Sequence, residues 1–168
     1  MFPIAVYQTA ASTGDLEWLA TMRPALDAIA KYLGSRGLNT TRASDDVTPV
    51  VFVSPASGRA DGRHHASNWY DVIEFGHLDA LLAGYGVWGL QCLGDIYEAL
   101  GDSVAATKTH AIHRQAVIDF NKVFWNASSS SYHDWIDDRG DKRSYFYVDI
   151  AFVAIIAGMA SPGASKIV

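Results

Sequence analysis

Apolar residues recur every three or four positions over residues 15–34, which is the spacing of one face of an α-helix. The stripe consists of Leu16, Leu19, Met22, Leu26, Ile29 and Leu33. Pro24 lies inside this stretch and removes a backbone hydrogen bond, but the periodicity continues beyond it. We therefore predict one helix over 15–34 with a kink at the proline. The apolar stretch at 2–13 is too short to assign.

The longest apolar stripe runs over residues 73–100 and predicts a second helix. Its members are Leu78, Leu81, Leu82, Tyr85, Trp88, Cys92, Leu93, Ile96, Tyr97 and Leu100. Four glycines interrupt it, namely Gly84, Gly86, Gly89 and Gly94. Each glycine costs a helix ~1 kcal/mol relative to alanine. Their presence therefore indicates that a neighbouring helix approaches closely at these positions.

The pair Gly101-Asp102 separates this stripe from the next one at residues 103–125. Glycine is the preferred residue just after a helix, and aspartate is a preferred N-cap. So short a link makes the two helices antiparallel, so that they form an αα-hairpin. Residues 144–160 predict a fourth helix that is apolar on nearly every side, which is typical of the centre of a helical assembly. That stretch is too short and too interrupted to span a membrane.

The residues between the first and second helices, 38–72, have a different composition, rich in Thr, Ser, Asp, Gly, Pro and Arg. Within them, 47–54 is β-branched and predicts a short strand. Loops of this length are unusual in compact domains and tend to be functional. The predicted fold class is therefore all-α, with one long functional loop that contains a short strand.

Composition limits the classes of protein that the chain can represent. Its 168 residues are 49% hydrophobic and 18% charged, which fits one domain with a packed core over 1–168. The net charge of −5 comes without a basic cluster, so we expect no nucleic-acid partner. Cys92 is the only cysteine and excludes a disulfide within the chain. The N-terminus does not resemble a signal peptide, and the compartment is not predicted.

The richest chemistry lies at residues 67–77, between the loop and the second helix. This segment combines two carboxylates, Asp71 and Glu74, with Asn68, Trp69, Tyr70 and His77. Carboxylates supply acid and base chemistry, polar groups bind hydroxyls, and aromatic rings stack on sugars, so the composition is that of a sugar subsite. The alternative is an ordinary helix start, in which a polar residue caps the helix and Trp69 packs against it.

A second concentration of aromatic and acidic residues follows the third helix and includes Asp134, Trp135 and Asp137. These three could line the same cleft and bind hydroxyls, although capping and solvation of a loop explain the two aspartates as well. His110 and His113 lie one helical turn apart and could hold one edge of a metal site. No third ligand has a suitable spacing in the sequence, so we predict no metal.

Several of these segments together resemble the six-hairpin glycosidases, the (α/α)6-toroid superfamily of α-L-rhamnosidases, trehalases and debranching glucosidases. The first is Ser67-Asn68-Trp69-Tyr70-Asp71 leading into Phe75-Gly76-His77. The second is Phe124-Trp125-Asn126 followed by Tyr132-His133-Asp134-Trp135-Ile136-Asp137. The third is the apolar helix ending Ala157-Gly158-Met159-Ala160-Ser161, and the link Leu100-Gly101-Asp102 is also similar. A complete toroid has six helical hairpins, so the resemblance implies that this chain is a partial domain.

The resemblance implies hydrolysis of a glycosidic bond, mostly with inversion, by a carboxylic acid and a carboxylate that activates water. It implies Asp71 as the acid, by its match to the Trp-then-Asp element of trehalase-like members, with Tyr70 inserted between the two. Glu74 is the reserve candidate, and a later hairpin would supply the base. The expected partner is a carbohydrate, with no cofactor and no membrane, and exposed apolar helix faces could drive self-association. The alternative function is a non-catalytic helical scaffold or carbohydrate-binding module.

Overall fold

The computed structural model describes residues 1–35, 78–137 and 139–160. Within them lie six helices: α1 (Phe2–Thr13), α2 (Leu16–Thr21), α3 (Arg23–Ser35), α4 (Ala80–Ala99), α5 (Ser103–Phe124) and α6 (Val148–Ile156). They also contain five two-residue strands: β1 (Leu78–Asp79), β2 (Trp125–Asn126), β3 (Ser131–Tyr132), β4 (Trp135–Ile136) and β5 (Lys142–Arg143). The predominantly helical prediction is confirmed. The predicted loop at 38–72 and its strand at 47–54 lie outside the described residues.

Helix α4 is the centre of the packing, because α1, α5 and α6 all lie against it. One core cluster joins α4 to α5, α6 and the segment between them, with Val87, Phe120, Phe124, Ile150 and Met159 among its buried members. A second cluster joins the C-terminal half of α4 to the first helices and contains Val6, Leu19, Leu26, Leu93 and Ile96. A helix that is buried on several sides needs few polar residues, which explains the nearly continuous apolar sequence of α4.

The predicted αα-hairpin of α4 and α5 is confirmed at its turn. Gly101 has a φ of 78°, in the left-handed region that glycine adopts without strain. Its N–H donates to the carbonyl of Glu98 at 2.9 Å, and the N–H of Asp102 donates to that of Tyr97 at 2.9 Å. This pair of bonds is the Schellman motif that ends a helix. The Asp102 carboxylate then accepts from the N–H of Ala105 at 2.9 Å and caps α5.

The N-terminal region differs from the prediction in two respects. Residues 2–13, which were too short to assign from the pattern, form α1. The single kinked helix predicted over 15–34 is wrong at Met22, where one turn residue separates α2 from α3. Pro24 has no N–H to donate to the carbonyl four residues earlier, so the helix is interrupted there rather than bent. Asp15 caps α2 by accepting from the N–H of Trp18 at 2.8 Å.

The helix predicted over 73–100 begins later than its apolar stripe indicates. Leu78 and Asp79 form β1, and α4 begins at Ala80. Asp79 has extended backbone angles, and its carboxylate accepts from the N–H of Leu82 at 3.0 Å, so Asp79 is the N-cap. Residues 73–77 lie outside the described part of the chain. Strand pairing at 78–79 therefore overrides the helical periodicity at this end.

Two small antiparallel sheets connect the helices. In one, β4 lies between β1 and β5, with Leu78 opposite Ile136 and Asp79 opposite Trp135. In the other, β2 pairs with β3 directly after α5. Strands of two residues show no alternation of apolar and polar side chains, which is why the sequence pattern did not predict them.

The fourth predicted helix, 144–160, is shorter in the structure and begins at Val148. The backbone N–H groups of residues 145–147 donate to a side chain outside the helix, and Phe146 has a φ of 65°. Gly158, with a φ of 65°, follows the end of α6. Among the described residues, none of the helices has the length and apolar character that crossing a membrane requires.

Candidate functional site

The structure describes three of the predicted site residues, Asp134, Trp135 and Asp137. The others, namely Asn68, Trp69, Tyr70, Asp71, Glu74 and His77, lie outside the described residues. The three described residues belong to the segment between β3 and β5, and all three are buried. What the structure shows is therefore the surroundings of one half of the predicted site.

The first described residues after the 67–77 segment lie directly against this half. Leu78 pairs with Ile136 and Asp79 pairs with Trp135 in antiparallel register. The N–H of Ala80 also donates to the carbonyl of Asp134 at 3.1 Å. The chain that leaves the first predicted motif is thus hydrogen-bonded to the second, although 54 or more residues separate the two along the sequence.

The carboxylate of Asp134 organises the approach to α6. It accepts hydrogen bonds from the backbone N–H groups of Tyr145, of Phe146 at 2.9 Å and of Tyr147 at 2.8 Å. Burial raises the pKa of Asp134, and the three N–H donors offset only part of that rise. Three donors from consecutive residues hold the left-handed turn at Phe146 in place, so Asp134 sets the path of the chain into α6.

Asp137 plays a similar part in the turn that precedes β5. One of its carboxylate oxygens accepts from the N–H groups of Arg139 at 3.0 Å and Asp141 at 2.8 Å. The other accepts from the Arg143 guanidinium at 3.0 Å. Burial acts to raise the pKa of Asp137, but the bonds from Arg143 and the two N–H groups outweigh it, and the pKa is lowered. Asp137 is therefore a charged residue inside its own turn.

Trp135 is 1% exposed and belongs to β4, the strand between β1 and β5. The Arg143 guanidinium lies over the ring, 5.7 Å from its centroid. Asp134, Trp135 and Asp137 all make their contacts with other residues of the chain. Their role in substrate binding stays a prediction. The alternative was that capping and solvation of a loop explain the two aspartates. Capping has direct support from their bonds to backbone N–H groups, whereas solvation does not fit, because both are buried.

A cavity of about 230 Å³ opens beside this segment, between the β2–β3 hairpin and α6. Its walls are aromatic and aliphatic, with two serines: Trp125, Ser130, Ser131, Tyr132, Phe146, Tyr147, Val148, Ile150, Ala151, Phe152 and Ile155. We call it the aromatic cavity. Asp134 connects it to the start of α4, because its carboxylate accepts from the backbone N–H groups of Phe146 and Tyr147 and its carbonyl accepts from the N–H of Ala80.

The aromatic cavity can offer stacking surfaces more readily than hydrogen bonds. Trp125 is half-buried, and its ring meets the Tyr132 ring edge-on at 5.1 Å between centroids. The Tyr132 hydroxyl already donates to Asn121 at 3.0 Å. The sequence-based reasoning gave Trp125 no role, although it stands in the Phe124-Trp125-Asn126 motif. For a polar ligand, the serine hydroxyls of Ser130 and Ser131 lie in the cavity walls.

Asp79 is a buried carboxylate that the sequence-based reasoning also missed. It is 2% exposed, and burial raises its pKa to about 6, although the N–H groups of Leu82 and Leu81 act in the opposite direction. A raised carboxyl pKa is common at catalytic sites. Here the carboxylate is the N-cap of α4, so the geometry assigns it a structural role.

The described residues contain one cluster with the donor types of a metal site. Asp95 and Glu98 on α4 face His110 on α5, and their nearest donor atoms all lie within 4.8 Å of one another. The pKa of His113, one turn further along α5, is lowered by burial and by the charge of His110. The histidine pair considered from the sequence was His110 with His113, whereas this cluster contains His110 without His113 and takes its carboxylates from the preceding helix of the hairpin.

Comparison of the chain with protein-family models, with curated proteins and with solved structures finds no match in any of the three.

Proposed function

We propose that the chain is part of a glycoside hydrolase of the six-hairpin, (α/α)6-toroid type, which acts on a carbohydrate by carboxylate acid and base catalysis. The observation that carries the proposal is the pairing of β1 with β4. It brings residues 78–79, which directly follow the 67–77 segment in sequence, against the Asp134–Asp137 segment, and the two segments are motifs on which the resemblance rests. A cleft shared by both motifs requires that contact.

The architecture of the described residues supports the same proposal. A toroid is built from antiparallel helical hairpins, and α4 and α5 form such a hairpin with a three-residue link, Leu100 to Asp102. Helix α6 packs on α4 and leaves large apolar side chains on its other side exposed, namely Phe152, Ile155 and Ile156. An inner helix of a toroid would cover such side chains with the next hairpin.

In this proposal Asp71 is the acid that protonates the glycosidic oxygen, and Glu74 is the reserve candidate. A carboxylate from a further hairpin would activate water on the opposite face of the sugar, at about 6.5–9.5 Å from the acid, as inversion requires. The aromatic cavity supplies stacking surfaces near the Asp134 segment. Asp134, by holding Phe146 and Tyr147, acts here as a positioning residue.

The test is isothermal titration calorimetry of the folded chain with a panel of monosaccharides and iminosugars. We expect binding of at least one of them, and weaker binding by Asp71→Asn, which keeps the size of the side chain and removes its charge. Glu17→Gln is the matched control, because Glu17 is an exposed carboxylate on α2 and is not one of the predicted site residues. A folded chain that binds none of the panel contradicts the proposal, and so does equal binding by Asp71→Asn and wild type.

A second candidate function is a non-catalytic helical scaffold, and the exposed apolar face of α6 favours it. Phe152 is 54% exposed and Ile156 is 63% exposed, on a helix whose opposite side is packed in the core. If this face serves assembly, the chain should self-associate as its concentration increases. Light scattering after size exclusion would show this, and Ile156→Glu should shift the chain to monomer. Sugar binding that the substitution does not change would favour the hydrolase.

A further inference from the structure

The α4–α5 hairpin contains a cluster of charged and imidazole side chains that the proposed hydrolase function does not use. His110 Nε2 lies 3.7 Å from the nearer carboxylate oxygen of Asp95 and 3.8 Å from that of Glu98. Asp95 and Glu98 are three residues apart on α4 and therefore share one helix face. His110 reaches the same point from α5, so the three donors converge from two helices.

The close approach of His110 depends on Gly94. A Cβ atom at position 94 would lie 2.5 Å from Cε1 and 2.6 Å from Nδ1 of the His110 ring. Real side chains do not approach this closely, so any other residue at position 94 would displace the ring. Gly94 has a low helix propensity, but it leaves the space that the His110 imidazole occupies.

The charges of the cluster favour a cation. Two carboxylates on adjacent turns of one helix repel each other by a few tenths of a kcal/mol, and in the described part of the chain neither pairs with a lysine or an arginine. The side chains of Asp95 and His110 are 32% and 26% exposed, so an ion and water can reach the donor atoms. His110 can pair with the carboxylates as a cation itself only when it is protonated.

We propose that Asp95, Glu98 and His110 bind a first-row divalent transition metal, best represented by Zn²⁺, which links α4 to α5. One imidazole and two carboxylates are donors that Zn²⁺ accepts, whereas Mg²⁺ and Ca²⁺ prefer oxygen donors alone. Tetrahedral Zn–N and Zn–O bonds of about 2.0–2.2 Å place the donor atoms about 3.3–3.6 Å apart. His110 Nε2 must therefore approach each carboxylate oxygen by roughly a few tenths of an ångström, and the two carboxylates, whose donor atoms lie within 4.8 Å of one another, must also draw together. Glu98 is largely exposed and free to make that adjustment. Three protein donors leave a fourth position for water.

The test uses the full chain, freed of metal by a chelator, and titrates Zn²⁺ by calorimetry. We expect one site, with Mg²⁺ giving no binding. Because loss of even a residue that supports a ligand typically weakens metal binding about 10- to 100-fold, Asp95→Asn and His110→Gln should each weaken it at least about tenfold. Zn²⁺ at about a hundredfold excess over the wild-type Kd should raise the Tm of wild type by about 5–10 °C and that of His110→Gln by about half of this or less.

Three further variants separate loss of the site from misfolding and from binding at other histidines. Gly94→Ala should weaken Zn²⁺ binding although it removes no donor, whereas Gly89→Ala, in the same helix with no described atom within 4 Å of its added Cβ, should not. The double variant His64→Gln/His65→Gln removes the adjacent histidines of the 38–72 loop and should bind as wild type does. Absence of Zn²⁺ binding by the folded wild-type chain would overturn the proposal. So would wild-type affinity in both Asp95→Asn and His110→Gln, or loss of binding only in the double variant.

Discussion

The Asp134 carboxylate accepts a hydrogen bond of 2.8 Å from the backbone N–H of Tyr147, the residue that caps α6, thirteen positions further along the chain. The N–H groups of Phe146 and Tyr145 donate to the same carboxylate. A buried side chain thus replaces the first turn of the helix that the apolar sequence predicts. Phe146 and Tyr147 also line the aromatic cavity. The same hydrogen bonds therefore stabilise the segment before α6 and hold two of the residues that shape the candidate site.

Replacing Asp134 by alanine should destabilise the protein. Three backbone N–H groups would lose their acceptor, and hydrogen bonds to charged groups contribute about 1.5–3 kcal/mol each to net stability. The cost of burying the carboxylate charge offsets part of their sum. We expect Asp134→Ala to lower the free energy of unfolding by about 3 kcal/mol, and Asp134→Asn by less, in urea titrations. Asp141→Asn is the control, because its carboxylate is 68% exposed and should change stability by no more than about 0.5 kcal/mol.

The same variants separate a structural from a ligand-binding role. If Asp134 contacts a sugar directly, Asp134→Asn should lose sugar binding even under conditions where the variant is fully folded. If Asp134 only positions Phe146 and Tyr147, sugar binding should decrease in proportion to the loss of order in that segment. Near-ultraviolet circular dichroism measures that loss of order. A variant with unchanged stability would contradict the hydrogen-bond account.

Asp79 should make the stability of the protein depend on pH. Its pKa is about 6 in the folded protein and 3.8 without burial, so the folded state holds the proton more tightly. Stability from this group is therefore full below about pH 4 and is lost as pH rises through about 6, by up to about 3 kcal/mol. Asp79→Asn removes this loss and keeps an oxygen that can cap α4.

The measurement for Asp79 is the free energy of unfolding of wild type and Asp79→Asn between pH 4 and pH 8. We expect the variant to exceed wild type at pH 7 and the difference to shrink as pH falls toward 4. Taking the difference removes the contributions of the other titrating groups, which both proteins share. A difference that stays constant over this range would show that Asp79 does not have a raised pKa.

Tyr97 connects α4 to α3 through its hydroxyl, which donates to Asp27 at 2.8 Å. Burial, and then the bond to Asp27, raise the pKa of Tyr97 to about 12, so the hydroxyl remains a donor throughout the neutral range. Tyr97→Phe should lower the free energy of unfolding by about 1 kcal/mol, the usual net value of one hydrogen bond. Tyr7→Phe, at the exposed surface of α1, should have no measurable effect, and equal effects of the two changes would contradict this account.

Features that depend on neighbouring residues could be predicted from the sequence, and features that depend on distant ones could not. Gly101 and Asp102 specify the link between α4 and α5 by their own backbone and capping preferences, and the structure confirms it. The late start of α6 depends on Asp134, eleven or more residues earlier, and the late start of α4 depends on pairing with Ile136. No local pattern contains that information. The proposed metal site is an intermediate case, because an antiparallel hairpin with a known turn places Asp95 near His110.

The close packing predicted at the glycines of α4 is confirmed at Gly84, where α6 approaches. A Cβ atom added there would lie 3.0 Å from Val153 Cγ1 and 3.2 Å from Met159 Cε, and both neighbours are buried. Gly89, one and a half turns along the same helix, has no described atom within 4 Å of such a Cβ. Alanine at position 84 would therefore create a steric conflict, whereas alanine at position 89 of the same helix would not.

Alanine at these two positions should act in opposite directions. Each substitution gains ~1 kcal/mol of helix propensity, but overpacking a rigid core costs typically about 1–3 kcal/mol. We expect Gly89→Ala to raise the free energy of unfolding by up to about 1 kcal/mol and Gly84→Ala to lower it by about 1 kcal/mol, measured in parallel urea titrations. Because helix propensity and the unfolded chain contribute equally to both, the difference of about 2 kcal/mol isolates the contact between α4 and α6. Equal gains at both positions would mean that α6 does not pack on α4 as the structure has it, and the inner-helix role proposed for α6 would then fail with it.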